Sequence, residues 1–557
     1  MNKNTILYLL LFLVCAGCED YLEVQDLDEY SETSVFKTEK DISFALNNLY
    51  TFLPAPDVES SNPEIRPFVW TDDAVFRSVN GNVQGADLGW TENSGFLGTF
   101  YRYSAIRDIN EFLARIPEAT FTNEEKREQF TMEARFLRAL IYERMVFAYG
   151  DVPLITEPTA PDFFPSRTPR LEVFNFVITE LDAIGDLPKK SEYSADDAGR
   201  ITRGAVLALK ARAYLNALGW HTDKNAMYAG AEAACRAIVD GGEYDLEDGI
   251  AGFEKQFTSA GDQNSTETVL ANIYVPEFRT HTLGRRVAPK GSYTGPEGPS
   301  TNQSRVGYTA SLIESFQTTN GLFPKDDDTY DPANPWENRD PRLKASAFLP
   351  GDILPARGTG ELVYEFQPHP SINPSGKTDN ITGRVNPSGY NFKKYVDYDL
   401  ARIDQNDADY KVIRYSEVLL MLAEALAGQD KDNEALPFLN EVRERVGMPA
   451  YTSANLPVVT KGSTGNAMID AILLERRYEF AGEGAQRWTD IWRYKLGDAL
   501  LNGMTYGIPK STTEPGDLVG AKYSIYEKTW DDKFYLLPMP LSALDANDNL
   551  TQNPGWN

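Results

Sequence analysis

The chain has 557 residues, 82 of them acidic and 54 basic, for a net charge of 54 − 82 = −28. A charge of that sign repels phosphate backbones and argues against nucleic acid as a partner. Three cysteines (Cys15, Cys18, Cys235) and three scattered histidines (His221, His281, His369) offer neither a disulfide framework nor the spacing of a helical zinc site, so no metal or cofactor is expected.

The first element is an address. Lys3 supplies a positive n-region, and Ile6 to Val14 is an apolar run of nine residues. A membrane-spanning helix needs about 20, so residues 1–17 read as a signal peptide. Cys15-Ala16-Gly17-Cys18 resembles a bacterial lipobox, with Cys15 standing where Leu is usual. That resemblance implies acylation of Cys18 and a lipid anchor, each buried CH₂ contributing about 0.8 kcal/mol. The alternative is a plain secretory signal cleaved near Gly17. Glu19-Asp20 behind the cysteine resembles the surface-export signal of Bacteroidota lipoproteins. No later stretch approaches the roughly 18 consecutive apolar residues of a spanning helix.

Residues 18–38 read as tether and 39–557 as one domain. Helices are predicted over about 39–53 and 99–116, with an irregular segment, 54–98, between them. In 130–149 the residues Phe130, Ala134, Leu137, Ile141 and Met145 follow helical spacing until Gly150 and Pro153 stop it. Thr202 is a good N-cap for a helix over 202–218, and 225–240 follows it with Cys235 as a small core residue. The pair looks like a tetratricopeptide hairpin without that repeat's strict period. Residues 243–400 are rich in Gly, Pro, Asn and Tyr, too long for one loop, with Glu267 to Val275 as an isolated strand. Helices resume over 410–427, 432–446, 466–482 and 485–496, and 498–557 packs on the scaffold.

Five segments in order carry a resemblance. They are Glu133 to Ala139 with Tyr149-Gly150-Asp151-Val152-Pro153-Leu154; Asn338-Arg339-Asp340-Pro341-Arg342; Arg414 to Leu420 with Ala423-Glu424-Ala425; Glu475-Arg476-Arg477-Tyr478-Glu479-Phe480; and Leu537-Pro538-Met539-Pro540 with Asn549 to Gly555. Together they resemble the SusD/RagB family of outer-membrane nutrient-binding lipoproteins. The resemblance implies a mainly all-α fold: tetratricopeptide-like helix pairs carrying an irregular, loop-rich ligand-binding subdomain. It implies a cell-surface, lipid-anchored protein that captures oligosaccharide and passes it to a TonB-dependent SusC-like transporter. Some members take peptides. The motif arginines Arg135, Arg138, Arg414, Arg476 and Arg477 are read as helix-locking ion-pair partners rather than ligand groups.

Sugar recognition needs aromatic platforms beside planar polar groups. Trp90, Asn93, Asp72, Asp73 and Arg77 supply both in the first irregular segment, and Trp90-Thr91-Glu92-Asn93 resembles a Trp-x-x-Asn arrangement of starch-binding members. The alternative is that Trp90 packs beneath its loop. Tyr293, flanked by Gly291 and Gly295, is a second candidate contact, and Trp336 is read as packing. Asp326 to Asp328 with Asp331 lacks the spacing of a Ca²⁺ loop and reads as a solvated turn. No Gly-x-Ser-x-Gly, P-loop or HExxH motif occurs, so no catalytic residue is assigned and a glycoside hydrolase is disfavoured. A tetratricopeptide-like envelope scaffold is the remaining alternative.

Overall fold

The computed structural model describes residues 36–56, 65–77, 90–261, 265–292, 302–355, 363–373, 379–383, 385–400 and 403–556. The predicted signal peptide, Cys18 and most of the predicted tether lie outside these residues. The longer helices are α1 (Glu39–Leu49), α2 (Tyr103–Arg115), α3 (Glu124–Tyr149), α4 (Arg170–Ala183), α5 (Arg203–Asn216), α6 (Lys224–Val239), α7 (Tyr415–Ala427), α8 (Asp432–Arg445), α9 (Ala467–Glu479) and α10 (Gln486–Arg493).

Side-chain caps set half of their starts. Thr38 Oγ1 accepts from the Asp41 N–H at 3.3 Å, and the Asp41 carboxylate accepts from the Thr38 N–H at 3.0 Å, a closed capping box. Asn123, Thr202, Asp223 and Asn466 cap α3, α5, α6 and α9. Gly150, at φ 73°, ends α3 in a conformation that a side chain disfavours. The helices pack as neighbours along the chain: α2 on α3, α3 on α4, α5 on α6, then α7 against α6, α8 and α9. Close approach needs small residues. A Cβ on Gly230 of α6 would lie 2.6 Å from the Tyr214 ring of α5. The fold is thus mainly helical, with a tetratricopeptide-like scaffold of helix pairs. Most of its apolar core runs as one cluster from Ile42 to Trp556, with two small satellites around Ile403 and Phe348, and Cys235 is fully buried in the main cluster.

Two expectations change in detail. The helix predicted over 410–427 is divided, because Tyr410–Arg414 (YKVIR) is a strand and Arg414 is extended at φ −110°, ψ 158°. That strand pairs antiparallel with Thr268–Asn272, so the strand predicted as isolated has a partner. Helix α4 was not legible in the apolar spacing.

Strands are short: β1 (Ala74–Phe76), β2 (Thr268–Asn272), β3 (Val306–Tyr308), β4 (Ala347–Phe348), β5 (Ile353–Pro355), β6 (Val363–Glu365), β7 (Asn391–Phe392), β8 (Tyr410–Arg414), β9 (Gly503–Pro509) and β10 (Lys522–Lys528). They form a four-stranded sheet in the order β1-β3-β7-β4 and three two-stranded pairs. The sheet gathers the two irregular segments into one body, since β1 comes from the first and β3, β4 and β7 from the second.

A buried charge network joins this body to the scaffold. Arg342 pairs with Asp340 at 2.7 Å, Glu475 at 2.5 Å and Glu479 at 3.2 Å. Arg414 pairs with Glu267, with Glu479 at 2.9 Å and with Glu483 at 2.7 Å. Arg443 holds Glu475, Arg445 holds Glu267 and Glu479, and Lys394 holds Glu483. Five carboxylates thus face five cations, so the cluster is neutral despite the charge of the whole chain. Other motif arginines are paired as the sequence implied: Arg135 and Arg138 with Glu180, and Arg476 with Asp490.

His281 gives a pH prediction. Its ring is buried between Tyr274 and Tyr395. Nε2 donates to the Ala408 carbonyl at 3.1 Å and Nδ1 accepts from the Leu283 N–H at 3.3 Å, which fixes the neutral tautomer. Burial holds its pKa down at about 4, against which the Ala408 hydrogen bond and Asp407 act. The unfolded chain therefore binds a proton that the folded chain refuses between about pH 6.5 and 4, and stability falls as pH falls through that window. At 1.36 kcal/mol per unit the loss reaches about 3 kcal/mol. Urea midpoints at pH 7 and 4.5 should converge in His281→Gln relative to wild type. Equal pH dependence in the two proteins would refute the assignment.

Candidate functional site

The first irregular segment enters the fold through the short turn Pro67–Trp70 and β1. Between them Asp72 and Asp73 point at α9 and α10. Arg487 forks onto Asp72 at 2.9 and 3.0 Å, and Arg477 reaches Asp72 at 3.1 Å and Asp73 at 2.6 Å. Burial pushes both carboxyls up. At Asp72 the Arg477 and Arg487 guanidiniums override it and hold the group well below the ordinary carboxylate range. At Asp73 burial, aided by the charge of Asp72, prevails over Arg477 and the group lies above that range. The expectation that Asp72 and Asp73 meet a ligand is corrected: their oxygens bind helix-borne arginines and fasten the segment to the scaffold. The cavity beside Asp72 holds about 100 Å³, below the roughly 300 Å³ at which small-molecule sites begin.

Trp90 is corrected in the same way. It is 3% exposed. Its ring stands edge-on to Trp70 at 5.0 Å, Phe534 at 5.7 Å and Phe96 at 6.1 Å. Trp70 in turn meets Trp488 of α10 at 5.4 Å. The aromatic side chains of the segment and the C-terminal region fill one another's gaps, and the indole is core. Asn93, three residues on, is exposed, and its amide lies 3.5 Å from Glu92 Oε1. The Trp-x-x-Asn pair is therefore split, with the ring inside and the amide outside.

Arg77 is joined to the strand that follows residues 293–301. The Arg77 N–H donates to the Arg305 carbonyl at 2.6 Å, continuing the antiparallel β1–β3 register. Tyr293 itself lies outside the described residues, as does 78–89. The stem before it, Lys290–Ser292, is held by Asp379, which accepts from the Lys290 and Gly291 N–H groups at 2.7 and 2.8 Å and also meets the Tyr364 hydroxyl. Burial pushes the Asp379 carboxyl up against these bonds. A Cβ on Gly291 would lie 2.4 Å from the Tyr364 ring, so a larger residue there would displace that ring. Asn302 donates to Ser292 Oγ at 3.0 Å, and Ser292 shares a hydrogen bond with Tyr398 at 2.7 Å. Sequence reasoning picked out Asn302 with Tyr293 but missed Asp379, Tyr364 and Tyr398, because Asp379 and the stem it holds are far apart in the chain.

The second irregular segment also carries an exposed aromatic. Val275 and Arg279 pair across a tight turn with Glu277 at φ 66°. The turn leaves Phe278 89% exposed, while the Arg279 guanidinium lies 4.7 Å over the Tyr274 ring. Hydroxyls, amides, guanidiniums and aromatic rings are the groups that recognise polyhydroxylated ligands. Among the described residues no three His, Cys, Asp or Glu side chains are grouped to hold a metal ion. Asp327 accepts from Thr318 Oγ1 and Asn320, organising its own turn.

Known proteins align with this chain along its length. A family model described as "SusD family" matches residues 257–556, and one described as "Starch-binding associating with outer membrane" matches residues 20–215. SusD-like protein P2 of Formosa agariphila is 25% identical over 585 residues, covering 100% of both chains. A SusD-like carbohydrate binding protein from Bacteroides fragilis superposes with TM-score 0.79 at 23% identity, covering 93% of this chain and 100% of its own. Another SusD-like protein from Bacteroides fragilis gives TM-score 0.77 at 22% identity, with 95% and 99% covered.

Proposed function

The chain belongs to the SusD/RagB family, and from that premise we propose that it captures oligosaccharide at the cell surface and delivers it to a TonB-dependent SusC-like transporter. It binds without cutting, and acylated Cys18 anchors it in the outer membrane. The observation that carries this reading is the match of residues 20–215 to a family described as starch-binding and associated with the outer membrane. Two observations support it: Asp379 and its partners hold Lys290–Ser292, directly before Tyr293, and Arg77 extends the β1–β3 pairing. Arg77, Asn93 and Tyr293 are the proposed ligand contacts. Among the described residues no helix is long and apolar enough to cross a membrane, so anchoring falls to the lipid.

Titration calorimetry of the purified protein against an oligosaccharide panel tests the binding reading. Tyr293→Ala should weaken the best ligand at least about tenfold, near 1.4 kcal/mol. A panel without a binder would remove the reading. Cys18→Ala should shift the protein from the membrane fraction to the soluble fraction. Persistence of the variant in outer membranes, protease-accessible on intact cells, would exclude the lipid anchor.

A further inference from the structure

A second built cavity lies on the helical scaffold, away from the loop face. It encloses about 460 Å³, and a cleft of about 300 Å³ adjoins it across Trp220 and Lys495. Volumes of this size are those of small-molecule sites. Five elements converge on it. Arg170 opens α4, Asn216 ends α5, and Trp220 follows the next turn. Lys495 follows α10, and Tyr535 closes the turn Asp532–Tyr535 of the C-terminal region.

Two cations of the cavity differ from the arginines that lock the fold. Arg342, Arg414, Arg443, Arg476, Arg477 and Arg487, and Arg493 of the cavity wall itself, sit on carboxylates. Arg170 and Lys495 instead lie on rings. The Arg170 guanidinium is 4.9 Å over Trp220, and the Lys495 ammonium is 3.9 Å over Tyr535. Neither side chain forms an ion pair with a described residue. Lys495 stands at φ 56°, a left-handed backbone that a lysine seldom adopts. The two acidic residues of the wall are turned to other work: Asp531 accepts from the Lys533 N–H at 3.0 Å and Asp532 from the Trp530 indole N–H at 3.0 Å. Burial and the nearby Arg170 charge bring the Lys495 ammonium down to about 8, with Asp532 acting the other way. An anion placed between the two cations relieves that repulsion.

A third group needs a donor. Asn216 is 6% exposed, its Nδ2 donates to Glu143 Oε1 at 2.6 Å, and its Oδ1 has no hydrogen-bond partner. A buried amide oxygen left unpaired costs about 1–3 kcal/mol; Asn216 lines the cavity wall, and a rotation of its amide toward the cavity would bring that oxygen to a ligand hydroxyl.

We infer that this cavity is a second carbohydrate site, selective for anionic oligosaccharides carrying carboxylate or sulfate ester groups. Arg170 and Lys495 take the charged substituent, Asn216 Oδ1 accepts from a ring hydroxyl, and the Trp220 and Tyr535 walls meet the apolar sugar face. This rests on the carbohydrate-binding reading of the chain but not on the loop face.

The test is calorimetry of the purified protein with tetragalacturonate, a heparin-derived tetrasaccharide, neutral maltotetraose and hexaglutamate. At least one anionic tetrasaccharide should bind, with affinity falling as salt rises. Lys495→Gln should weaken it at least tenfold without moving the melting temperature, since the ammonium rests on the Tyr535 ring and forms no ion pair with a described residue, and Trp220→Leu should weaken it too. Tyr293→Ala should leave this binding in place. The inference is overturned if Lys495→Gln binds anionic sugars as wild type does, or if hexaglutamate binds and the sugars do not, which would make the cavity a peptide site. Sugar binding lost in Tyr293→Ala but kept in Lys495→Gln would overturn it while leaving the proposed function standing. An absence of sugar binding altogether would overturn both.

Discussion

Trp90→Ala is expected to destabilise the protein by about 3–5 kcal/mol, the cost of truncating a buried tryptophan, and to leave oligosaccharide affinity within about twofold, well inside the 1.4 kcal/mol that marks a tenfold change. The indole bridges two remote parts of the chain, Trp70 of the first irregular segment at 5.0 Å and Phe534 of the C-terminal region at 5.7 Å. Removing it deletes both contacts and leaves a void that neighbouring rings fill only in part. Trp90→Phe keeps part of the volume and should lose less. Urea denaturation and calorimetric titration on the same preparation decide the matter. A variant of wild-type stability that no longer binds sugar would return Trp90 to the ligand face and overturn its place in the core.

Arg414→Ala is expected to be comparably severe, about 3–5 kcal/mol, because breaking one partner out of a buried ion cluster strands the others. Arg414 gives Nε and Nη2 to Glu483 at 2.7 and 2.8 Å, and Nη1 to Glu479 at 2.9 Å, to Ser416 and to Glu267. Those carboxylates keep the guanidinium charged against the opposing effect of burial. Without it four cations face five carboxylates, and one negative charge is left uncompensated in the interior. Lysine cannot substitute, since a single ammonium does not reproduce the fork. Arg414→Met combined with Glu483→Gln restores the charge balance and should recover part of the loss. A denaturation midpoint unchanged in Arg414→Ala would mean that the cluster does not hold the loop body to the scaffold.

The two variants separate residues that look alike in a one-dimensional reading. Trp90 and Asn93 share a motif and an irregular context, yet one is core and the other exposed. Asp72 and Asp73 have the composition of a ligand site and serve as anchors for Arg477 and Arg487. Arg414 and Arg477 were read as scaffold from the helical stripes around them, and they pair as scaffold.

What the sequence determined by itself is the information carried by neighbours along the chain. Helices α3, α5, α6, α8, α9 and α10 were legible in the sequence, the opening turns of α3 excepted, and apolar spacing marked α3 and α6, because a helix closes its hydrogen bonds locally and shows its buried face at a fixed period. Caps such as Thr202 and stops such as Gly150 are likewise local. The ordered motifs identified the family and implied the ion pairs, since arginines on apolar helix faces have few fates other than a buried carboxylate. Tertiary structure alone decided the rest. Tyr410–Arg414 is a strand because β2, far off in the chain, pairs with it. Trp90 is buried because Phe534 covers it, and Asp379 matters because it holds the Gly291 stem. In each case the deciding partner is remote in sequence, and neither period nor composition records which distant surface a residue will meet.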